Sequence, residues 1–186
     1  MKQPVISKNA VEHKILAEYE RLNTDFILNK KKKEHGRGAW GKLKGDITSK
    51  LFSHYIKEAV EGKYDVSGEN SFIEGFPYEF DLLILKKGAK PFKFTSIYEP
   101  KDVVFCMELK TLGSFKNDEQ LRKYAKEFKN RLKLLKKAND KIEIIHLTMK
   151  ISEKYFQKTE KCFGPEIKCF KVCEGAWAKL KEVLHV

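Results

Sequence analysis

Residues 102–110 read Asp-Val-Val-Phe-Cys-Met-Glu-Leu-Lys. The run is too short for a buried helix, and its apolar residues fall on both faces of an extended chain. A central strand, covered above and below, is what buries such a segment. It calls for amphipathic helices elsewhere in the chain to form the covering layers. With 186 residues the chain is long enough for one such core and too short for two comfortable ones.

The covering helices are legible from their periodicity. Residues 9–28 carry Val11, Ile15, Leu16, Tyr19, Leu22 and Phe26 at helical spacing. Residues 46–61 place Ile47, Leu51, Phe52, Tyr55, Ile56, Ala59 and Val60 on one broad apolar face, with Asp46 or Thr48 as cap and Gly62 as stop. Residues 118–138 bury Leu121, Tyr124, Ala125, Phe128, Leu132 and Leu135 and turn a lysine-rich face outward. A last helix is expected over 176–184. Strands are expected over 64–66, 71–74, 78–85, 142–148 and 167–172, with a short edge strand inside the long connection 86–101. This order predicts an α/β sandwich with a mixed central sheet flanked by helices, built as one domain. Residues 1–45 would supply an N-terminal helix and a basic Gly/Lys loop, 46–148 the core, and 149–186 a C-terminal strand and helix.

The polar end of the central strand carries the chemical information. Side chains alternate along a strand, so Glu108 and Lys110 project with Cys106 and Val104, opposite Val103, Phe105, Met107 and Leu109. A carboxylate and an ammonium ending an apolar strand are costly unless they pair, reach water or bind something. An antiparallel hairpin across residues 86–101 would bring Asp81, at the start of Leu82-Leu83-Ile84-Leu85, beside Glu108. Two crowded carboxylates repel unless a proton or a cation lies between them. Mg²⁺ suits oxygen ligands that leave room for water and phosphate, with Mn²⁺ as its substitute. Glu58 lies within the apolar arc of its helix, about 20° from Ile47 at about 100° per residue, and can reach the same cluster. Glu79 shares the strand face of Asp81 and is the rival ligand.

Asp81…Glu108-Leu109-Lys110 resembles the D…(D/E)-x-K signature of the restriction-endonuclease-like, or PD-(D/E)xK, phosphodiesterases. Phe80 stands where the fuller motif has Pro. Gln120-Leu121-Arg122-Lys123-Tyr124 is similar to the Q-x-x-x-Y motif of the RecB-like branch. The resemblance spans about residues 46–148. It implies a restriction-endonuclease-like core and a Mg²⁺-dependent deoxyribonuclease. Asp81 and Glu108 would be the metal ligands, assisted by the Leu109 carbonyl. Lys110 would be the catalytic lysine and Glu58 an accessory ligand or water orienter. Gln120 and Tyr124 would be supporting residues on the nucleic-acid side. A small restriction-like endonuclease is the leading form, a homodimer if it cuts both strands. The alternatives are a repair or recombination nuclease, an RNA-directed nuclease, and a module that binds nucleic acid without cutting it.

The charge balance agrees with a polyanionic partner such as DNA. The formal net charge is +12, and only four of the 38 Lys and Arg residues are Arg. Lysine offers point charges to phosphates, whereas arginine supplies the planar fork that reads guanine, so phosphate contact is favoured over base readout. The segment 30–45 carries Lys31, Lys32, Lys33, Arg37 and Lys42 among several glycines, and Trp40 can stack or wedge there. It reads either as a DNA contact or as a solvated loop.

Other chemistries lack their signatures. The chain has no Walker loop, no G-x-G-x-x-G and no G-x-S-x-G. Cys162, Cys169 and Cys173 match no cluster spacing and, with Cys106, read as reduced structural thiols. His146 lies inside an apolar strand and reads as a satisfied core or site-edge residue. No apolar run approaches the ~18–20 residues of a membrane span, and residues 1–14 show no secretory pattern. A cytoplasmic location is therefore expected, with no membrane partner.

Overall fold

The elements along the chain are α1 (Val11–Ile27), α2 (Arg37–Val60), β1 (Tyr64–Val66), β2 (Ser71–Ile73), β3 (Glu79–Phe80), β4 (Leu82–Lys86), β5 (Ile97–Tyr98), β6 (Val103–Leu112), α3 (Asp118–Ala138), β7 (Glu143–Lys150), α4 (Glu153–Phe163), β8 (Ile167–Lys171) and α5 (Ala176–Leu184). They are taken from a computed structural model that describes residues 10–27, 37–112, 117–173 and 175–186. The principal sheet runs β1-β4-β6-β7-β8, so β6 is central, and a smaller sheet runs β3-β2-β5. The β1–β4 and β4–β6 pairs are antiparallel, whereas β6–β7 and β7–β8 are parallel. Parallel neighbours need crossovers, and α3 and α4 supply them.

Both faces of β6 are covered. On one side Phe105, Met107 and Leu109 pack with Ile15 and Tyr19 of α1, Phe52 and Ile56 of α2, and Leu180 and Leu184 of α5. On the other, Val103 and Cys106 pack with Ala125, Phe128 and Leu132 of α3, Phe163 of α4, and Phe80 and Tyr98 of the smaller sheet. Phe52, Phe128 and Phe163 are at most 1% exposed, and full burial of such a side chain contributes roughly 1.5–3 kcal/mol. Among the described residues no helix is long and apolar enough to cross a membrane.

Several expectations need correction. Residues 37–45 are not loop: α2 begins at Arg37 and runs unbroken to Val60. Lys31, Lys32 and Lys33 lie outside the described residues, and so do the side chains of Arg37, Trp40 and Lys42. The strand expected over 78–85 is two strands in two sheets, parted at Asp81. Val103 and Val104 are on the faces opposite to those a simple alternation gives. Ile84 pairs with Phe105 and Leu85 with Val103, so Val104 is the extra residue of a β-bulge that resets the alternation. The C-terminal part contains a further helix, α4, before its strand and last helix.

Candidate active site

Strand register brings the acidic pair together. Leu82 pairs with Met107, and one step further places Asp81 opposite Glu108. The β4–β6 pairing ends at this point, and the Asp81 carboxylate takes over where the ladder stops. Its Oδ2 accepts the Leu109 N–H at 2.6 Å. In a strand the N–H and C=O of one residue lie on the same side, so the Leu109 carbonyl opens toward Asp81 as well. Behind the break, the Leu83 N–H donates to Ser67 Oγ at 2.9 Å, and Ser67 and Ser71 each donate to the Gly68 carbonyl at 2.8 Å. These buried serines hold the β1–β2 loop against the start of β4.

On β6, Lys110 Nζ donates to Glu108 Oε1 at 2.5 Å. The Glu108 side chain is 10% exposed and that of Lys110 is 35% exposed, so the pair faces outward through its lysine. Tyr124 of α3 reaches the same carboxylate, its hydroxyl 3.4 Å from Glu108 Oε1. The Tyr124 ring stacks on Phe128 and lies 5.8 Å below Lys110 Nζ. Burial, then the Glu108 charge, push the Tyr124 phenol far above its ordinary range. It therefore remains a neutral donor. Tyr124 was expected on the nucleic-acid side; it instead turns inward to orient a carboxylate, because its helical position falls on the buried face.

The electrostatics of Asp81 define the site. Burial raises its carboxyl to about 6, and the Glu108 charge adds to the rise. The Leu109 N–H and the Lys110 charge oppose it, and Glu79, exposed in β3, contributes least to it. A group in this state resists ionising alone and gains most from a neighbouring cation. The available donors are all oxygens: the Asp81 and Glu108 carboxylates, which face each other in register, and the Leu109 carbonyl, beside a lysine. That set suits Mg²⁺, which is held by one or two carboxylates and completes its shell with water and phosphate. Among the described residues no group of three or more His, Cys, Asp or Glu is placed to hold a metal ion.

Glu58 does not join this cluster. Its side chain is 62% exposed and lies 3.5 Å from His54 Nε2. It sits beside Tyr64, Asp65, Leu85 and Lys87, at the end of β4 remote from Asp81. The reason is direction: α2 runs toward the start of β1, which pairs with the far end of β4. Gln120 is exposed in the first turn of α3, where its backbone N–H is capped by Asn117 at 2.9 Å.

His146, in register with Glu108 on β7, is buried, and among the described residues no other side chain hydrogen-bonds its ring nitrogens. Its ring is boxed by Tyr124, Phe128 and Phe163, and burial followed by the Lys110 charge lowers its pKa to about 3. It is thus a neutral ring beside the site. The four cysteines are free thiols; burial raises Cys106 strongly and Cys169 to about 12, which leaves neither a thiolate for chemistry.

Positive charge gathers in a separate groove, which none of the Asp81, Glu108 and Lys110 side chains lines. Arg122, Lys126, Lys129 and Lys133 of α3 face Lys158 and Lys161 of α4 across a groove of about 700 Å³. One end is closed by Lys158 on Asp118 at 2.9 Å.

No protein-family model matches the sequence, and no curated protein matches it. Solved structures do. NucC of E. coli MS115-1, in its cAAA-bound form, superposes with a TM-score of 0.54 at 12% identity, covering 82% of this chain and 66% of that one. The cAAA-bound NucC of P. aeruginosa ATCC27853 gives 0.47 at 12% identity, covering 86% and 69%. The present chain thus spans slightly less than two thirds of the E. coli protein. The likeness at this identity concerns fold, and the fold is restriction-endonuclease-like.

Proposed function

We propose that the chain is a metal-dependent nuclease that hydrolyses DNA phosphodiester bonds as a small restriction-like endonuclease. The observation that carries this reading is the Asp81 carboxylate, raised by burial and by Glu108, set beside Lys110 and on the Leu109 N–H. The restriction-endonuclease-like fold supports it, and so does the basic groove over α3 and α4.

Asp81, Glu108 and the Leu109 carbonyl would hold Mg²⁺ or Mn²⁺. Such an ion acidifies a bound water and offsets charge on a phosphate. The chain's own residues perform the remaining tasks. The Leu109 N–H orients Asp81, and the Tyr124 hydroxyl and Lys110 ammonium orient Glu108. Lys110, the most exposed of this pair, presents its charge to a phosphodiester oxygen on the solvent side. The apolar residues beneath lower the local dielectric and strengthen each of these contacts.

The test is cleavage of plasmid, single-stranded DNA and RNA with Mg²⁺, with Mn²⁺ and with EDTA. Metal-dependent cutting of DNA that is lost in both Glu108→Gln and Lys110→Ala supports the proposal. Cutting that survives both substitutions refutes it. Cutting confined to RNA would reassign the substrate.

A further inference from the structure

The turn 92–95 holds a large aromatic where neither packing nor backbone favours one. Phe94 is 95% exposed, the most exposed of the large hydrophobic side chains in the described residues. Its φ is +62°, a left-handed conformation that bulky L residues rarely adopt. Glycine or asparagine is the usual occupant at such a turn position. The turn is nevertheless well tied. The Thr95 N–H and hydroxyl both donate to the Phe92 carbonyl, at 3.0 and 2.8 Å. The Phe92 N–H donates to the Ile97 carbonyl at 2.9 Å, and the Ile97 N–H to Thr95 Oγ1 at 3.1 Å. A strained residue on a well-tied turn is displayed by the structure rather than left loose.

Its surroundings are cationic. Residues 86–96 contain Lys86, Lys87, Lys90 and Lys93 and no acid. Lys87 is engaged by Asp65 at 3.0 Å, whereas Lys90 and Lys93 are exposed, with Lys93 Nζ 5.0 Å from the Phe94 ring centroid. The turn is also near the candidate site. The Ser96 carbonyl accepts the Phe72 N–H, and Ser71 pairs with Phe80, the residue before Asp81. Neighbouring strands lie about 4.8 Å apart and two residues span at most about 7 Å, so Phe94 is within about 25 Å of Asp81. That is less than one helical turn of DNA, about 34 Å.

We propose that Phe94 is a wedge that enters the base stack of duplex DNA bound at the candidate site, with Lys90 and Lys93 on the flanking phosphates. The proposal rests on the nucleic-acid reading above. Apolar side chains inserted between base steps are an established device of DNA-bending proteins. Four lysines without an acid disfavour a basic protein partner, and Phe94 with the partly exposed Phe92 is a small apolar area for anchoring to a lipid surface.

The experiment uses the full chain carrying Glu108→Gln, in EDTA, so that DNA stays intact. Duplexes with 2-aminopurine report unstacking, and anisotropy reports affinity. With Phe94 present, 2-aminopurine fluorescence rises on binding. Phe94→Asn, which suits the left-handed backbone, abolishes that rise and weakens binding by about tenfold, the scale of one lost base–aromatic contact. Its Tm is no lower than that of the parent, which a structural role for the ring would not allow. Phe94→Leu retains an apolar wedge and the fluorescence rise. Unchanged affinity and fluorescence in Phe94→Asn overturn the wedge, as does a parent that leaves the duplex stacked. Phe94-dependent binding to phosphatidylserine vesicles with unchanged DNA affinity also overturns it, in favour of a membrane contact. Metal-dependent cutting by the native chain alongside a Phe94→Asn variant that binds normally removes the wedge and keeps the nuclease. Phe94-dependent unstacking without any metal-dependent cutting does the reverse.

Discussion

Asp81→Asn removes one charge from the candidate site while leaving an oxygen to accept the Leu109 N–H, a bond of 2.6 Å in the native chain. The Asp81 carboxyl rises from 3.8 to about 6 on folding, first through burial and then through Glu108. The folded state therefore binds this proton more tightly than the unfolded chain. Stability falls as pH rises between about 4 and 6, and the full penalty is present above 6. Each pKa unit corresponds to about 1.4 kcal/mol, so the penalty approaches about 3 kcal/mol. Asn retains a desolvation cost of its own, which reduces the expected gain to about 1–3 kcal/mol. For a chain of this size that is a rise in Tm of about 3–9 °C. The assay is differential scanning fluorimetry of both proteins from pH 4 to pH 8 without divalent metal. The variant should exceed the native chain at pH 8 and match it near pH 4. Equal Tm differences at both ends, or a variant less stable at pH 8, would refute the electrostatic account of Asp81. Activity should be lost in the variant although stability rises.

Three further outcomes follow from the geometry. Glu58→Gln should leave the cleavage rate within about twofold of native, because Glu58 is exposed beside His54 and remote from Asp81; a loss beyond tenfold would return it to the site. Tyr124→Phe keeps the ring stacked on Phe128 and removes the hydroxyl 3.4 Å from Glu108, so turnover should fall several-fold while stability changes by no more than about 1 kcal/mol by urea denaturation. His146→Leu replaces a buried imidazole by an apolar side chain among Tyr124, Phe128 and Phe163, and should raise Tm by about 2–4 °C; a fall of that size would point to a hydrogen bond that the imidazole makes to backbone or water.

The layers and the acidic pair were legible in the sequence, and their limits are physical. α3 spans Asp118–Ala138 as its periodicity predicts, and β6 is central because it is apolar on both faces. Asp81 and Glu108 were foreseeable as neighbours since a hairpin places the start of one strand beside the end of the next. The bulge at Val104 was not, because one inserted residue leaves the composition unchanged. Glu58 was misplaced for a related reason. A helical angle tells which face is buried and nothing about which end of the sheet lies opposite. The start of α2 was hidden by Gly38, Gly41 and Gly45, each of which costs about 1 kcal/mol relative to Ala in a helix. α4 was hidden by its narrow stripe, of which Thr159 and Phe163 are the buried residues. Tyr124 was recognised by its spacing, but its hydrogen bond to Glu108 depends on how α3 sits over β6.

The central claim is that Asp81 and Glu108 share one divalent cation. Calorimetric titration of Mn²⁺ into the native chain, Asp81→Asn and Glu108→Gln tests it without reference to a substrate. One site per chain is predicted in the native protein, with that site lost or at least tenfold weaker in each single variant and no further loss in the double variant. Native-like Mn²⁺ binding in either single variant would contradict a shared site.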